Sequence, residues 1–507
     1  MLFLCENYFY GILIWYIIFL LKNTVKINLD YFKKRDSFKY EISAAIIFGL
    51  IAWIYFFQGG NAEGGIVLLF ACILGLYMAM NIGANDVANN MWPAVGAKAI
   101  TLGWAIVIAA IFEASGAIIA GWDVVNTIKG GIIDSSMIPN ANILIYIMMA
   151  TLGWAAVWIN LATYLKAPVS ATHSVMWGLL GAGMTASGYL YITTTSDWSI
   201  WAMFSHASDI VTWSEVGRIA ISWIVSPLMG WIIAAAIMFS IRHNIMKKKH
   251  MDRAAKHWLP IYVGIMTTVF SVYLLLKGLK PFLKSHPDLK EFLTLNTSIF
   301  IGIVIWFIVF FSVRLYLKKH KSLLQDDKKH INKLFNIPLI FAVALLSFAH
   351  GANDVANAIW PLVAINDAIK SGGMSISSAQ IPFWIMFLGA AGLVIGLMTF
   401  GSRLITTVWG EITKLNQVRA FSVALAAAIT VIIASQLGLP VSSTHIAIWG
   451  IFGVGFLREF IKKMKWKDKT YVEKSMMKNI ALSWIITLPA TACIAGWLFL
   501  AFNTFIG

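Results

Sequence analysis

A 507-residue chain that is 59% hydrophobic and only 12% charged is excluded from the soluble globular class, in which roughly 45–50% of residues are apolar and about 25% charged. Its formal net charge of +16 does not mark a nucleic-acid binder, because Lys and Arg are confined to short stretches between apolar segments, as in the loops of a membrane protein. Cys5, Cys72 and Cys493 are scattered without CxxC spacing, which excludes a disulfide framework and a thiolate metal site.

A bilayer core about 30 Å thick needs about 20 apolar residues per helix. Apolar segments run over 8–21, 42–57, 65–98, 101–121, 144–166, 170–187, 216–241, 258–276, 297–316, 336–366, 382–403, 420–437, 441–458 and 480–502. The first is read as a retained helix, since no basic stretch precedes it and no small-residue cleavage site follows. Segments 65–98 and 336–366 carry internal Gly and Pro and are expected to be interrupted. The expected fold class is an all-α polytopic membrane protein of about 12–14 membrane segments.

Positive charge orients these segments. The basic connections are 22–39, 242–257, 314–333 and 458–478, whereas the stretch between Gly188 and Gly217 has no Lys or Arg and carries Asp197, Asp209 and Glu215. Basic loops inside and 188–215 outside satisfy the count of crossings. One connection, 277–290 with Lys277, Lys280, Lys284 and Lys290, falls outside against the rule, and nothing in the charge pattern explains it.

The chain repeats itself. Asn81-Ile-Gly-Ala-Asn-Asp-Val-Ala-Asn-Asn-Met-Trp-Pro93 recurs as Ala349-His-Gly-Ala-Asn-Asp-Val-Ala-Asn-Ala-Ile-Trp-Pro361, and Ala167-Pro-Val-Ser-Ala-Thr-His173 as Leu439-Pro-Val-Ser-Ser-Thr-His445. The copies begin at the third and tenth segments, an odd displacement, so they cross the membrane in opposite directions. Inverted-topology repeats with interrupted helices or re-entrant hairpins build many secondary transporters, with the substrate near the midplane where the repeats meet. The expected organisation is an extension with two apolar helices over 1–60, a first repeat over 61–241, basic loops and connecting helices over 242–335, and an inverted repeat over 336–507.

Each GANDVAN motif puts one carboxylate and two carboxamides in apolar surroundings, where a charge costs at least about 2.5–3.5 kcal/mol and therefore needs a partner or a cavity. If the flanking glycines and prolines make each motif start a half-helix, its free N–H groups suit an anion, and Asp86 and Asp354 then require cations. The plainer alternative is helix packing through Asn and capping by Asp, which the doubling argues against. In the second motif Ser170, Thr172, Ser442, Ser443 and Thr444 can donate to an oxyanion or coordinate a hard cation. His173 and His445 are read as supporting residues behind the site, as no paired-His metal spacing is present. Glu113, a lone carboxylate within 101–121, is a candidate for ion coupling. No ATP-binding, nucleophile-elbow or cysteine-cluster motif appears, so the chain is not expected to be an enzyme and transport is expected to be secondary.

The paired GANDVAN and PVS-x-TH motifs and Phe112-Glu-Ala-Ser-Gly116 resemble the inorganic phosphate transporter (PiT) family over 65–240 and 336–502. The resemblance implies a cation/phosphate symporter in which Asn85, Asp86, Asn89, Asn353, Asp354, Asn357, Ser170, Thr172, Ser442, Ser443 and Thr444 surround phosphate and coupling ions. Glu113 matches a glutamate that eukaryotic members need, while the position of their second glutamate is Ala424 here. The implied partners are inorganic phosphate, monovalent cations and the lipid bilayer, with no organic cofactor and no nucleic acid. Sodium, on Asp86 and Asp354, is the expected coupling ion, with protons as the alternative and sulfate as the alternative anion. A homodimer in a bacterial inner membrane is the expected setting. A channel or a non-transporting sensor is the rival reading from another class.

Overall fold

The computed structural model describes residues 37–60, 64–122, 124–125, 132–165, 167, 169–197, 199, 201, 205–279, 287–371, 381–407, 415–463 and 474–505. The segment expected at 8–21 and most of the connection 22–39 lie outside the described residues. Thirteen long helices follow the apolar segments in order: α1 Ser37–Phe57, α2 Gly65–Gly96, α3 Leu102–Ala120, α4 Ala141–Tyr164, α5 Ala171–Thr195, α6 Trp213–Ile241, α7 Met251–Tyr273, α8 Leu295–Lys319, α9 Asn336–Ser371, α10 Phe383–Thr399, α11 Gln417–Gln436, α12 Ser443–Lys463 and α13 Lys474–Phe505. Among the described residues, eleven helices are long and apolar enough to cross a bilayer.

The interruptions do not fall at GANDVAN. Helices α2 and α9 run unbroken through Gly83 and Gly351 and keep Pro93 and Pro361 inside them. The glycines serve close packing instead. A side chain at Gly83 would strike the Leu393 carbonyl of α10, and one at Gly351 would strike the Glu113 carbonyl of α3. Gly116 and Gly396 answer with the same approach to the carbonyls of Phe348 and Met80. The prolines each remove one N–H and so free the carbonyl four residues earlier, at Asn89 and Asn357.

The chain breaks at the PVS-x-TH motifs. Helices α4 and α5 form one hairpin and α11 and α12 another, opened by Asn140 and Asn416, whose side chains accept from the backbone N–H of Asn142 and Arg419. The turns touch tip to tip: Thr172 Oγ1 donates to the Val441 carbonyl at 3.1 Å, and Thr444 Oγ1 lies 3.3 Å from the Val169 carbonyl. Both tips meet the middles of α2 and α9, so these are re-entrant hairpins.

They enter from opposite ends. Around the first hairpin, Asp134 N donates to Ile210 O and Thr212 N to Ile132 O, both at 2.9 Å, which ties its entry and exit together. At the other end the basic loops meet, Met251 N donating to Asp326 Oδ1 at 2.7 Å. There Gln417, at the start of the second hairpin, donates to the Ala97 carbonyl at 3.1 Å. Gly278 packs on Ile119 at the end of α3, so the lysine-bearing connection 277–290 leaves from the end opposite the other basic loops; residues 280–286 lie outside the described set.

The halves are interleaved. Helix α3 packs on α9 and α10 on α2, while α6 covers α11 and α12 and α13 covers α4 and α5. Single cysteines at Thr195 and at Lys248, on a background free of Cys5, Cys72 and Cys493, are expected to react with an impermeant thiol reagent from opposite sides of the membrane. Equal labelling from one side overturns the inverted arrangement.

Candidate functional site

The first-turn N–H groups of any α-helix have no acceptor within the helix. At α5 and α12 the caps use one each: Ser170 Oγ accepts from His173 N and Ser442 Oγ from His445 N, both at 3.2 Å. The N–H groups of Ala171, Thr172, Ser443 and Thr444 are left at the point where the two tips meet. The anion-suited helix starts are therefore those of PVS-x-TH and not those of GANDVAN, whose N–H groups are spent inside α2 and α9. That corrects the expectation of half-helices beginning at GANDVAN.

The motif side chains cross between the repeats. Asn89 donates to Thr444 Oγ1 at 2.7 Å and to Asp86 Oδ1 at 3.0 Å, and Thr444 Oγ1 lies 3.1 Å from the same Asp86 oxygen. Asn357 donates to Thr172 Oγ1 at 3.1 Å and Ser443 to Asp354 Oδ2 at 2.9 Å. Asn85 donates to Thr163 Oγ1 at 2.9 Å, and its counterpart Asn353 lies 3.2 Å from Ser435 Oγ. Asn89 and Asn357 thus hold the hairpin tip of the other repeat, while Asn85, Asn353 and Asp354 hold the hairpin of their own. Asn85, Asp86, Asn89, Ser170, Thr172, Asn353, Asp354, Asn357, Ser442, Ser443 and Thr444 are all at most 3% exposed.

His173 and His445 lie behind the tips. Their rings pack on each other with centroids 4.4 Å apart, His173 against Trp223 and His445 against Trp484. Trp223 in turn donates to the Pro440 carbonyl at 3.2 Å.

Glu113 joins the centre through a residue that sequence reasoning passed over. His350, fully buried, has Nε2 at 2.8 Å from Asp354 Oδ2 and 3.6 Å from Asp86 Oδ2, and Nδ1 at 3.5 Å from Glu113 Oε1. Asn90 donates to the same Glu113 oxygen at 2.7 Å. A buried carboxylate survives only when paired or hydrogen-bonded, and one imidazole stands at ion-pair distance from three of them, with no aligned hydrogen bond at either nitrogen. The signal was present in the aligned motifs, where His350 stands opposite Ile82 and Asn90 opposite Ala358. The repeat partner of Glu113 is Leu393, as the matched approaches to Gly351 and Gly83 show. Ala424, on α11, is buried in an apolar cluster.

Among the described residues, several oxygens here have no donor: Asn85 Oδ1, Asp86 Oδ2, Asn89 Oδ1, Asn90 Oδ1, Glu113 Oε2 and Asn357 Oδ1. Oxygen-only ligands of this kind suit hard cations. Ligand atoms of Asp86, His350 and Asp354 lie within 4.8 Å of one another. The arrangement can therefore hold an anion on helix N-termini and hydroxyls with cations beside it.

Residues 82–495 match the sequence pattern of the phosphate transporter family. A Helicobacter pylori protein named as a candidate phosphate permease is 44% identical over 434 residues, covering 85% of this chain and 76% of its own. A Pyrococcus abyssi protein of the same description is 35% identical over 432 residues, covering 85% and 97%. A solved structure, that of a sodium-dependent phosphate transporter, superposes with a TM-score of 0.74 at 31% identity, over 87% of this chain and all of that one.

Gly351→Ala is expected to lower stability by about 1–3 kcal/mol, the usual cost of overpacking, because the new methyl meets the main chain of Glu113. Thermal unfolding in detergent checks it, with Gly49→Ala, which has open space around it, as the comparison expected to unfold like the parent.

Proposed function

This chain belongs to the phosphate transporter family, and we propose that it moves inorganic phosphate across the membrane in symport with cations, sodium foremost. The observation that carries this is the convergence of two capped helix N-termini and their hydroxyls, from inverted hairpins, beside two buried aspartates. Phosphate would take the free N–H groups and the Thr172, Ser443 and Thr444 hydroxyls. Sodium would take Asp86, Asp354 and the donorless carboxamide oxygens of Asn85, Asn89 and Asn357. Ser170, Ser442 and Asn353 would hold the tips in shape, with His173 and His445 packed behind them.

Charge arithmetic gives the coupling. A phosphate dianion with two aspartates carries a formal charge of −4, and each carboxylate about 5 Å from the dianion repels it by roughly 7 kcal/mol at an effective dielectric near 20. Two or more monovalent cations remove most of that, so phosphate binds well only with cations in place, and by linkage cations bind better with phosphate. The repeats would then rock about the shared site and expose it to each side in turn. The sodium-dependent phosphate transporter of similar structure favours sodium. Proton coupling is a second reading, supported by His350 and Glu113, which bring further titratable groups to the site. The same proposal sets the protein in a bacterial inner membrane with its basic loops inside, and a homodimer is the assembly to test.

Uptake into proteoliposomes with sodium, pH and anion varied separately, and with arsenate and sulfate as competitors, tests the reading. Sodium-dependent uptake inhibited by arsenate and not by sulfate is expected. A flux far above carrier turnover, or none at all, would instead support a channel or a sensor. Asp86→Asn and Asp354→Asn are each expected to lower initial phosphate uptake by roughly 5–150-fold, the span of a coupling free energy of about 1–3 kcal/mol, at unchanged membrane abundance. Near-normal sodium-dependent uptake in both would remove the aspartates from the coupling site.

A further inference from the structure

Three of the buried places where the central site departs from its two-fold pseudo-symmetry join into one arm, and a fourth, Ser443 opposite Ala171, lies beside Asp354 as well. His350 stands opposite Ile82, Asn90 opposite Ala358 and Glu113 opposite Leu393. On one side a polar arm runs from Asn90 through Glu113 and His350 to Asp354, with contacts of 2.7, 3.5 and 2.8 Å. The opposite side is filled by apolar groups.

The arm and Ser443 together leave the two aspartates in different states. Asp354 Oδ2 already has Ser443 Oγ at 2.9 Å and His350 Nε2 at 2.8 Å, and the Asn353 amide, once turned to donate, reaches Oδ1 at 2.9 Å. Asp86 has both of its hydrogen-bond donors, Asn89 and Thr444, on Oδ1. Its Oδ2 has no donor among the described residues, with His350 Nε2 no nearer than 3.6 Å. Within the two GANDVAN motifs the first leaves Asn85 Oδ1, Asp86 Oδ2 and Asn89 Oδ1 without donors, and the second only Asn357 Oδ1. A buried oxygen without a donor is costly to keep, and a cation relieves that cost.

We propose that the Asn90–Glu113–His350 arm makes the two aspartates inequivalent cation sites, so that a first sodium ion binds at Asp86 in the absence of phosphate, and the Asp354 position fills only together with phosphate. His350 is a positioning residue here: it holds Asp354 on its own side and leaves Asp86 to the ion. The inference rests on the sodium reading above and adds to it an order and an address for each ion.

The test measures sodium binding to the purified full-length protein in nanodiscs, by radioactive sodium in a scintillation proximity assay, first without and then with inorganic phosphate. The wild type is expected to take up one sodium ion per chain without phosphate and more with it. Asp86→Asn, which removes the ion's own ligand, should abolish the phosphate-free sodium ion, while Asp354→Asn, which removes a neighbouring charge, should weaken its binding but still reach one ion per chain at saturating sodium and lose the phosphate-dependent increment. His350→Ile, which copies the residue at position 82, should open a second phosphate-free site, and His350→Gln, which retains a donor toward Asp354, should keep the single site. Monodispersity and thermal unfolding of each variant verify the fold. Two sodium ions bound by the wild type without phosphate, or equal loss in Asp86→Asn and Asp354→Asn, overturns the inference while leaving sodium coupling intact. Wild-type protein that binds phosphate but no sodium overturns the sodium reading and the inference with it.

Discussion

Burying three carboxylates within one apolar shell constrains everything around them. Asp86, Asp354 and Glu113 are at most 1% exposed, and ions so placed need partners that are themselves buried. Those partners cannot come from one helix. Asp86 draws on Thr444 of the second hairpin, Asp354 on Ser443 and His350, and Glu113 on Asn90 of α2. Meeting the charges therefore requires both hairpin tips, both motif helices and α3 to converge, and the interleaved packing follows from that requirement.

Convergence needs helices closer than ordinary side chains allow, and small residues are what permits this in membranes, where lipid gives no hydrophobic force between helices. Gly83, Gly116, Gly351 and Gly396 stand where another helix's carbonyl takes the space of a Cβ. The contact of Gly351 with the backbone of Glu113 has a chemical result as well as a packing one. It brings α3 near enough for a glutamate side chain to reach a histidine on α9.

The repeat, the inverted crossing and the paired polar motifs were legible in the sequence because identical strings recur in order and because charge orients loops. The helix breaks were misread, since Gly and Pro are breakers in isolation but a Gly under a neighbouring helix is a contact point. Breaks at PVS-x-TH were nearer the surface of the sequence, where Pro440 precedes two serines and a threonine with capping chemistry. His350 is invisible in what the two motifs share. Its meaning lay in a mismatch with Ile82, and only the fold brings Glu113, far away in sequence, to its ring. Leu393 as the partner of Glu113 was not legible at all, since no shared string marks that alignment.

The mismatches carry more information than the matches for a transporter built this way. Two identical inverted repeats would have two outward- and inward-facing arrangements of equal internal energy, because exchanging the conformations of the repeats converts one into the other. A ligand can shift such an equilibrium only by its differential affinity for the two states. Residues that differ between the copies at the centre of the site, His350 for Ile82, Asn90 for Ala358 and Glu113 for Leu393, are where the protein itself can separate those energies before any ligand binds. On the proposed order of ion binding they are also where the two cation positions would become distinct. Under that proposal the energy difference between the two faces of the cycle and the order in which the site fills would depend on the same few side chains around one pair of aspartates, while the gradients of the bound ligands set the direction of net transport.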